Sequence, residues 1–241
     1  QTPGLIWLVL AISAGGLVRG FTGFGTALIF VPVAGQFLPP ADVILLMACT
    51  GIVSTMAILP KAWGTADRRE VGALVLAAVV TIPVGIWVMS FLDALTIRWI
   101  VAFVAGTTLV AVIVGWRWHG DLKLRGRMFI GGAAGVVGGM TGLTGPVVIM
   151  FYLANARSVL AVRSNTILFL AALDVLLVVN LVFGGFTNPQ MIWTAGVLAI
   201  PYVTTTLIGQ AMFNPTKERA YRIVAYSVIG LAVVSGIPIF D

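Results

Sequence analysis

The residues best suited to chemistry are one arginine and one aspartate that lie inside apolar sequence. Arg19 interrupts the first apolar run, and Asp174 is the only acidic residue deep within a predicted membrane span. Charges at such depth are costly and mark candidate functional sites. Arg19 could bind an anion through its planar guanidinium or form an ion pair with Asp174. Asp174 could instead couple a proton, or be a protonated acid hydrogen-bonded to its neighbours.

Two segments rich in glycine and threonine lie within otherwise apolar sequence. The first Gly/Thr segment is GGLVRGFTGFGTALIFV, residues 15–31, and the second Gly/Thr segment is AGVVGGMTGLTGPVVIM, residues 134–150. At an offset of 119 residues they share four glycine or threonine pairs, Gly16/Gly135, Gly20/Gly139, Thr22/Thr141 and Gly23/Gly142. Duplicated, interrupted hydrophobic segments indicate a transporter binding site.

Each Gly/Thr segment can bind an anion without a charged side chain. Glycine lets the main chain approach a ligand closely, and the free amides at a helix start attract negative charge. The predicted substrate site therefore consists of Arg19, Gly20, Thr22, Gly23, Gly25, Thr26, Gly139, Thr141, Gly142, Thr144 and Gly145. Asp174 and Asn165 are candidates for coupling or for lining the pore, although Asn165 could equally cap its helix.

The composition predicts an all-α polytopic membrane protein. Of the 241 residues, 60% are hydrophobic and 9% are charged, against about 25% charged in soluble proteins. Apolar runs approach the ~20 residues that cross a bilayer. We predict two homologous halves, each with a broken hairpin segment and three transmembrane helices. The first repeat, 1–116, has a hairpin at 4–37 and spans at 43–60, 71–92 and 99–116; the second, 128–241, has a hairpin at 128–153 and spans at 165–183, 191–213 and 221–237.

The distribution of lysine and arginine favours inverted repeats over parallel ones. If each Gly/Thr segment is a hairpin that returns to its own side, Arg98 alone lies on one side and twelve basic residues lie on the other. If each is one continuous span, the count becomes seven against six. Basic residues concentrate in cytoplasmic loops, so the inverted layout is preferred, with the basic linker 117–127 in the cytoplasm. The second hairpin's entry leg, 128–138, rises ~16 Å, which would bring its tip to the midplane.

The residue inventory argues against other protein classes. The net charge of +6 would suggest nucleic acid in a soluble protein, but here it orients the chain in the membrane. One histidine and one cysteine provide no metal site and no nucleophile–base pair, so we expect neither an enzyme nor a cofactor. A channel would show rings of carbonyls or charges. The expected partners are a small anion, the lipid bilayer and, in a homodimer, a second copy.

The chain resembles the sulfite exporter TauE/SafE family, also called the toluene-sulfonate uptake permease family. The resemblance rests on RGFTGFG at 19–25 and GGMTGLTGP at 138–146, each near the start of one half. It implies a carrier in the bacterial inner membrane for sulfite or an organosulfonate. We therefore expect a secondary transporter working by alternating access, with the anion at the midplane between the two breaks. The alternatives are an anion channel or a carrier of another small organic anion.

Overall fold

The described part of the chain is helical throughout and has no strand. The computed structural model describes residues 2–22, 24–56, 59–115, 123–152, 159–212 and 218–239. Gly23 and residues 117–122 of the predicted linker lie outside this part. The helices are α1 Leu5–Thr22, α2 Thr26–Ala34, α3 Pro40–Met56, α4 Leu59–Thr65, α5 Arg68–Phe91, α6 Ala94–Val114, α7 Leu124–Thr141, α8 Gly145–Tyr152, α9 Val159–Phe183, α10 Pro189–Met212 and α11 Glu218–Gly236.

The outer surface of the helices is apolar, as expected of a protein that lies in hydrocarbon. Within the described residues, α5, α6, α10 and residues 164–183 of α9 are long and apolar enough to cross a membrane, and shorter apolar stretches occur in α1, α3 and α11. Large side chains such as Phe183 and Trp193 are 88% and 81% exposed. Soluble proteins seldom expose contiguous apolar surface on this scale. The chain is therefore a multi-pass membrane protein.

Local sequence signals explain where the long helices begin. Asp67 precedes α5, and its carboxylate accepts hydrogen bonds from the amides of Arg69 and Glu70 at 3.1 and 3.2 Å. Asp93 precedes α6 and accepts from the Thr96 amide at 3.0 Å. Aspartate at this position satisfies amides that have no partner within the helix. The two caps set the first turns of α5 and α6.

The first Gly/Thr segment is a helical hairpin. The Thr26 hydroxyl at the start of α2 donates to the Gly15 carbonyl of α1 at 3.2 Å. At the other end, a Cβ atom added to Gly4 would collide with the ring of Phe37. The residue before α1 thus contacts a residue after α2, while the first residue of α2 contacts the middle of α1. The two helices are therefore antiparallel.

The second Gly/Thr segment breaks in a similar way. Gly142 follows α7 in the left-handed region, with φ 79°, which glycine adopts without steric cost. Its amide donates to the Gly138 carbonyl at 2.8 Å. A Cβ atom added to Gly138 would lie 2.7 Å from Cγ2 of Thr144. The chain thus reverses between α7 and α8 within three residues.

Each hairpin packs closely against the long helix of the other half. A Cβ atom at Gly20 of α1 would lie 2.7 Å from the Gly209 Cα atom of α10. A Cβ atom at Gly139 of α7 would lie 2.6 Å from the backbone carbonyl oxygen of Ile82 in α5. Small residues let membrane helices approach until their backbones touch. These glycine contacts join α1 to α10 and α7 to α5.

Alanine at Gly139 is expected to destabilise the protein because its methyl group has no space. The added Cβ would lie 2.6 Å from the Ile82 carbonyl oxygen and 3.1 Å from the Ile86 amide nitrogen. Overpacking of this kind costs about 1–3 kcal/mol. We expect Gly139→Ala to lower the melting temperature of the detergent-solubilised protein. The matched control is Gly196→Ala in α10, where nothing lies within 4 Å; equal melting temperatures would contradict the packing.

Candidate functional site

Arg19 is held inside the helix bundle by two hydroxyl groups. It lies in the last turn of α1, where its side chain is half-buried. Its guanidinium donates to the Tyr202 hydroxyl at 2.7 Å and to the Thr55 hydroxyl at 3.2 Å. A guanidinium has five N–H donors, and within the described residues two of them are used in this way. The other three donors have no hydrogen-bond partner in the part of the chain that the structure describes.

Tyr202 connects Arg19 to the start of α2. The side chain is fully buried, and its hydroxyl lies 3.1 Å from the Thr26 hydroxyl. The single Thr26 hydroxyl proton goes to the Gly15 carbonyl, so Tyr202 must donate to Thr26 and accept from Arg19. The result is a directed chain of donors from Arg19 through Tyr202 and Thr26 to the backbone. Such buried chains strengthen their member bonds and hold a fixed geometry.

We name the arginine cluster by its four residues, Arg19, Thr26, Thr55 and Tyr202. They come from α1, α2, α3 and α10, so both halves contribute. Thr26 is 2% exposed and Thr55 is 2% exposed. A cation among buried hydroxyls interacts more strongly with an anion than a cation in bulk water does.

Asp174 lies one helical turn from this cluster along α3. The carboxylate rests against Gly51, where an added Cβ atom would lie 2.9 Å from its Cγ. Gly51 and Thr55 occupy the same face of α3, about 6 Å apart along the axis. Asp174 is 7% exposed. Within the described residues no nitrogen–oxygen pair closer than 4.0 Å joins it to Arg19.

The paired threonines Thr22 and Thr141 make the same local contacts at the two helix ends. The Thr22 hydroxyl lies 2.8 Å from the Val18 carbonyl and accepts from the Phe24 amide at 3.3 Å. The Thr141 hydroxyl donates to the Val137 carbonyl at 2.7 Å and accepts from the Leu143 amide at 3.2 Å. Both hydroxyls terminate their helices, which occupies much of their hydrogen-bonding capacity.

The glycines predicted for the site allow an unusual backbone conformation or a close contact between helices. Gly25 has φ 103°, a conformation that glycine adopts at no steric cost. Gly20, Gly139 and Gly142 are buried at helix contacts or at the break itself. Gly23 lies outside the described residues.

The structure does not bring the second break to the arginine cluster. Gly142 packs against Ile44, with its added Cβ atom 3.4 Å from the Ile44 side chain. Arg19 instead donates to Thr55, which lies about 16 Å further along α3 than Ile44 at 1.5 Å per residue. Thr144 is 7% exposed, and Gly145 begins α8. Gly139, Thr141, Gly142, Thr144 and Gly145 therefore lie together, apart from Arg19.

Asn165 connects α9 to the start of α5. Its side-chain oxygen accepts a hydrogen bond from the Asp67 amide at 2.8 Å, and the neighbouring Ser164 hydroxyl lies 2.6 Å from that of Thr65. Asn165 is 1% exposed. It thus satisfies an amide of the α4–α5 connection in place of an amide of its own helix.

Sequence reasoning missed Tyr202 and Thr55. A signal for Tyr202 exists, because a tyrosine beside Pro201 within an apolar span needs a partner for its hydroxyl. Thr55 is one of several small polar residues in α3, and only the contact with Arg19 distinguishes it.

Comparison with known proteins assigns the chain to a family. The family model described as Sulfite exporter TauE/SafE matches residues 8–236, which is nearly the whole chain. The chain belongs to the TauE/SafE family. The resemblance seen in the two Gly/Thr segments is thereby confirmed. The family of this TauE/SafE protein is one of membrane transporters of sulfur anions. No curated protein and no solved structure gives a significant match.

Both halves of this TauE/SafE protein lie within the match. The matched range includes α1 from its fourth residue, α2 with the first break, α7 and α8 with the second, and every residue of the arginine cluster. Among the described residues, no group of three His, Cys, Asp or Glu side chains could hold a metal ion.

Proposed function

We propose that this TauE/SafE protein is a secondary transporter that moves sulfite or an organosulfonate by alternating access, and that the anion binds at the arginine cluster. The observation that carries the proposal is Arg19, a cation held inside the bundle by Tyr202 and Thr55 with donors to spare. Sulfite and sulfonates present several oxygen acceptors. A guanidinium recognises such oxyanions through two parallel N–H donors.

The chain is organised in our proposal as two inverted repeats in the bacterial inner membrane, with its basic loops in the cytoplasm. Three observations support this layout: the offset of 119 residues between the breaks, the hairpin contacts of each break, and the glycine contacts that each hairpin makes with the other half. The excess of basic residues on one side supports the orientation. Inverted repeats provide the two alternative arrangements that alternating access requires.

A single anion site per chain follows from the asymmetry between the halves. At the offset of 119 residues, Arg19 corresponds to Gly138 and Thr26 to Gly145. Gly16 packs on Tyr202, whereas its counterpart Gly135 packs on Ala78. The place that corresponds to the arginine cluster therefore has neither the cation nor its hydroxyl partners. In this proposal both repeats take part in the conformational change, and only the first repeat carries the cation of the binding site.

The second break reaches the anion, in this proposal, only after a conformational change. In the described conformation Gly142 of the second break lies against Ile44, about 16 Å along α3 from Thr55 of the cluster. Alternating access would move one hairpin relative to the other half, and the threonines and main-chain amides of the second break would then replace water around the anion. Export can be driven by the membrane potential alone, since expelling an anion from a negative interior is favourable, whereas uptake requires a coupling ion, for which Asp174 is the candidate.

A substrate panel in proteoliposomes tests the proposed function. We expect saturable flux for sulfite or for a small organosulfonate, and little flux for a cationic or neutral solute of equal size. Saturation is expected because each anion must occupy the arginine cluster before it crosses. Flux that rises linearly with every sulfur anion offered would contradict a binding site.

Removal of the Tyr202 hydroxyl is expected to weaken anion binding without abolishing transport. In Tyr202→Phe, Arg19 loses its 2.7 Å acceptor and Thr26 loses a donor. One hydrogen bond to a charged group contributes about 1.5 kcal/mol, so KM should rise about tenfold while kcat changes little. Tyr221→Phe is the matched control, because it also removes a hydroxyl hydrogen bond, to the Met212 carbonyl. Equal KM values in both variants would show that Tyr202 does not orient Arg19.

A further inference from the structure

One side of α5 is exposed along the length of the helix. Leu76 and Val80 are both 68% exposed, and Trp87 is 62% exposed. They follow the exposed Arg69 by 7, 11 and 18 positions, which at about 100° per residue places all four within about 20° of one line. We name these four residues the lipid-facing stripe, since the exposed apolar surface of a membrane protein contacts lipid.

The lipid-facing stripe is about as long as the hydrocarbon layer of a bilayer is thick. Arg69 and Trp87 are 18 positions apart, or about 27 Å at 1.5 Å per residue, against about 30 Å for the hydrocarbon. The Trp87 ring packs edge-on against Phe91, with ring centroids 4.8 Å apart. Because exposed aromatic rings of this kind concentrate at the membrane–water interface, Arg69 lies at the opposite interface, at the level of the lipid head groups.

A second cation and a tryptophan lie beside Arg69 at this interface. Arg68 is exposed, and its guanidinium carbon lies 5.7 Å from the centre of the Trp63 ring. Trp63 belongs to α4 and is 52% exposed. Attraction to the face of an aromatic ring holds a guanidinium in place without occupying its N–H donors. Two cations and one interfacial ring therefore meet where the lipid-facing stripe begins.

The two acidic residues next to these arginines make contacts within the protein. The Asp67 carboxylate accepts from the amides of Arg69 and Glu70 at 3.1 and 3.2 Å. Glu70 is 1% exposed and faces α7, where its carboxylate oxygen lies 3.7 Å from Nε of Arg127. With Arg68, these five residues carry three positive charges and two negative ones. The start of α5 thus keeps a net positive charge, and its exposed side chains are the arginines and the cap Asp67.

Helix α7 begins beside α5 with two exposed cations but has no such stripe. Lys123 and Arg125 are exposed, as is Phe129 in the following turn. Residues 130–148, by contrast, are all buried or half-buried, because α7 packs on α5 and on α8. An acyl chain at this place would have no exposed side of α7 to follow. The start of α7 is therefore a matched comparison for the start of α5.

We propose that Arg68, Arg69 and Trp63 bind the head group of an anionic glycerophospholipid, and that an acyl chain of this lipid lies along Leu76 and Val80. A guanidinium makes short, charge-assisted hydrogen bonds to phosphate oxygens. A zwitterionic lipid also has a phosphate, but its ammonium group would lie near the two arginines and oppose binding. The site concerns a lipid and not the transported solute, so the proposal holds whichever anion crosses the membrane.

Competition between two lipids tests the site without transport. Purified protein is mixed in detergent with equal amounts of dioleoylphosphatidylglycerol, which is anionic, and dioleoylphosphatidylcholine, which is zwitterionic, and native mass spectrometry counts each bound lipid. We expect the unmodified protein to retain at least about five times more phosphatidylglycerol, the effect of one cation near a membrane surface. Arg68→Gln/Arg69→Gln should reduce this preference to less than about twofold, whereas Arg68→Lys/Arg69→Lys should keep most of it.

The control removes the same charge from the neighbouring helix. Lys123→Gln/Arg125→Gln deletes two exposed cations at the start of α7 and should keep the preference of the unmodified protein. Equal retention of the two lipids by the unmodified protein, a result that needs no variant, would overturn the proposal, as would equal losses in the two glutamine pairs. If a second copy of the chain covered the stripe instead, Arg68→Gln/Arg69→Gln would change the elution volume in size-exclusion chromatography and leave the lipid preference unchanged. That result would also overturn the proposal.

Discussion

Arg19→Gln is expected to lower kcat/KM for sulfite by at least about 100-fold. The substitution removes the cation and both of its hydrogen bonds, to Tyr202 and Thr55. It also removes the two parallel N–H donors that we propose for the anion. Hydrogen bonds to charged groups contribute about 1.5–3 kcal/mol each, so two of them correspond to at least roughly 3 kcal/mol, a factor of about 100. Initial rates of sulfite uptake into proteoliposomes, at equal amounts of inserted protein, measure the effect.

Two further variants show whether the charge or the geometry of Arg19 matters. Arg19→Lys keeps the charge but cannot present two parallel donors, so we expect a loss between that of Arg19→Gln and the unmodified protein. Arg125→Gln removes a positive charge from an exposed position at the start of α7, and should transport normally. If Arg19→Gln transports as well as Arg125→Gln does, the anion binds elsewhere.

Asp174→Asn is expected to abolish proton-driven accumulation of the anion while sparing exchange of anion for anion. Asp174 is buried beside Gly51, one turn of α3 from the arginine cluster. A buried carboxylate without a close cation is costly when ionised. Protonation of Asp174 can therefore accompany arrival of an anion at Arg19. Uptake driven by an imposed pH gradient and exchange without a gradient are measured on the same vesicles.

The Asp174 experiment distinguishes two roles that the sequence left open, proton coupling and balance of the Arg19 charge. If Asp174 couples a proton, the asparagine variant loses its dependence on the pH gradient and keeps exchange. If Asp174 only balances the charge of Arg19, both activities should fall together. Gly51→Ala is a second variant, because its methyl group would displace the carboxylate without removing it. Unchanged pH dependence in both variants would contradict a coupling role.

Composition and motif spacing suffice for the coarse architecture. Apolar length predicts the membrane helices because the bilayer thickness sets how many residues must be apolar. The long helices α5, α6, α9 and α10 follow from that rule. The family follows from two short motifs. Arg19 and Asp174 attract attention because charge at membrane depth is rare and costly.

The partners of Arg19 could not be predicted in the same way. Tyr202 is 183 positions from Arg19 along the chain, and whether they meet depends on the depth and rotation of α1 against α10. Those are set by close contacts such as Gly20 on Gly209, which a single sequence does not specify. The ends of α7 also differ from the sequence-based leg. Helix α7 runs from Leu124 to Thr141, 18 residues that rise about 27 Å, whereas the leg considered from the sequence is 128–138; the position of the second break in the bilayer stays a prediction.

Counterflow in proteoliposomes tests the central claim most directly, which is that this chain is a carrier with a saturable site for a small sulfur oxyanion. Vesicles loaded with unlabelled sulfite are diluted into a trace of radiolabelled sulfite. A carrier that alternates access returns to the outside loaded, so the label should accumulate transiently inside above its external concentration, and this overshoot should be lost in Arg19→Gln. Labelled sulfite that enters only to its equilibrium level, or at equal rates in empty vesicles, would contradict the account.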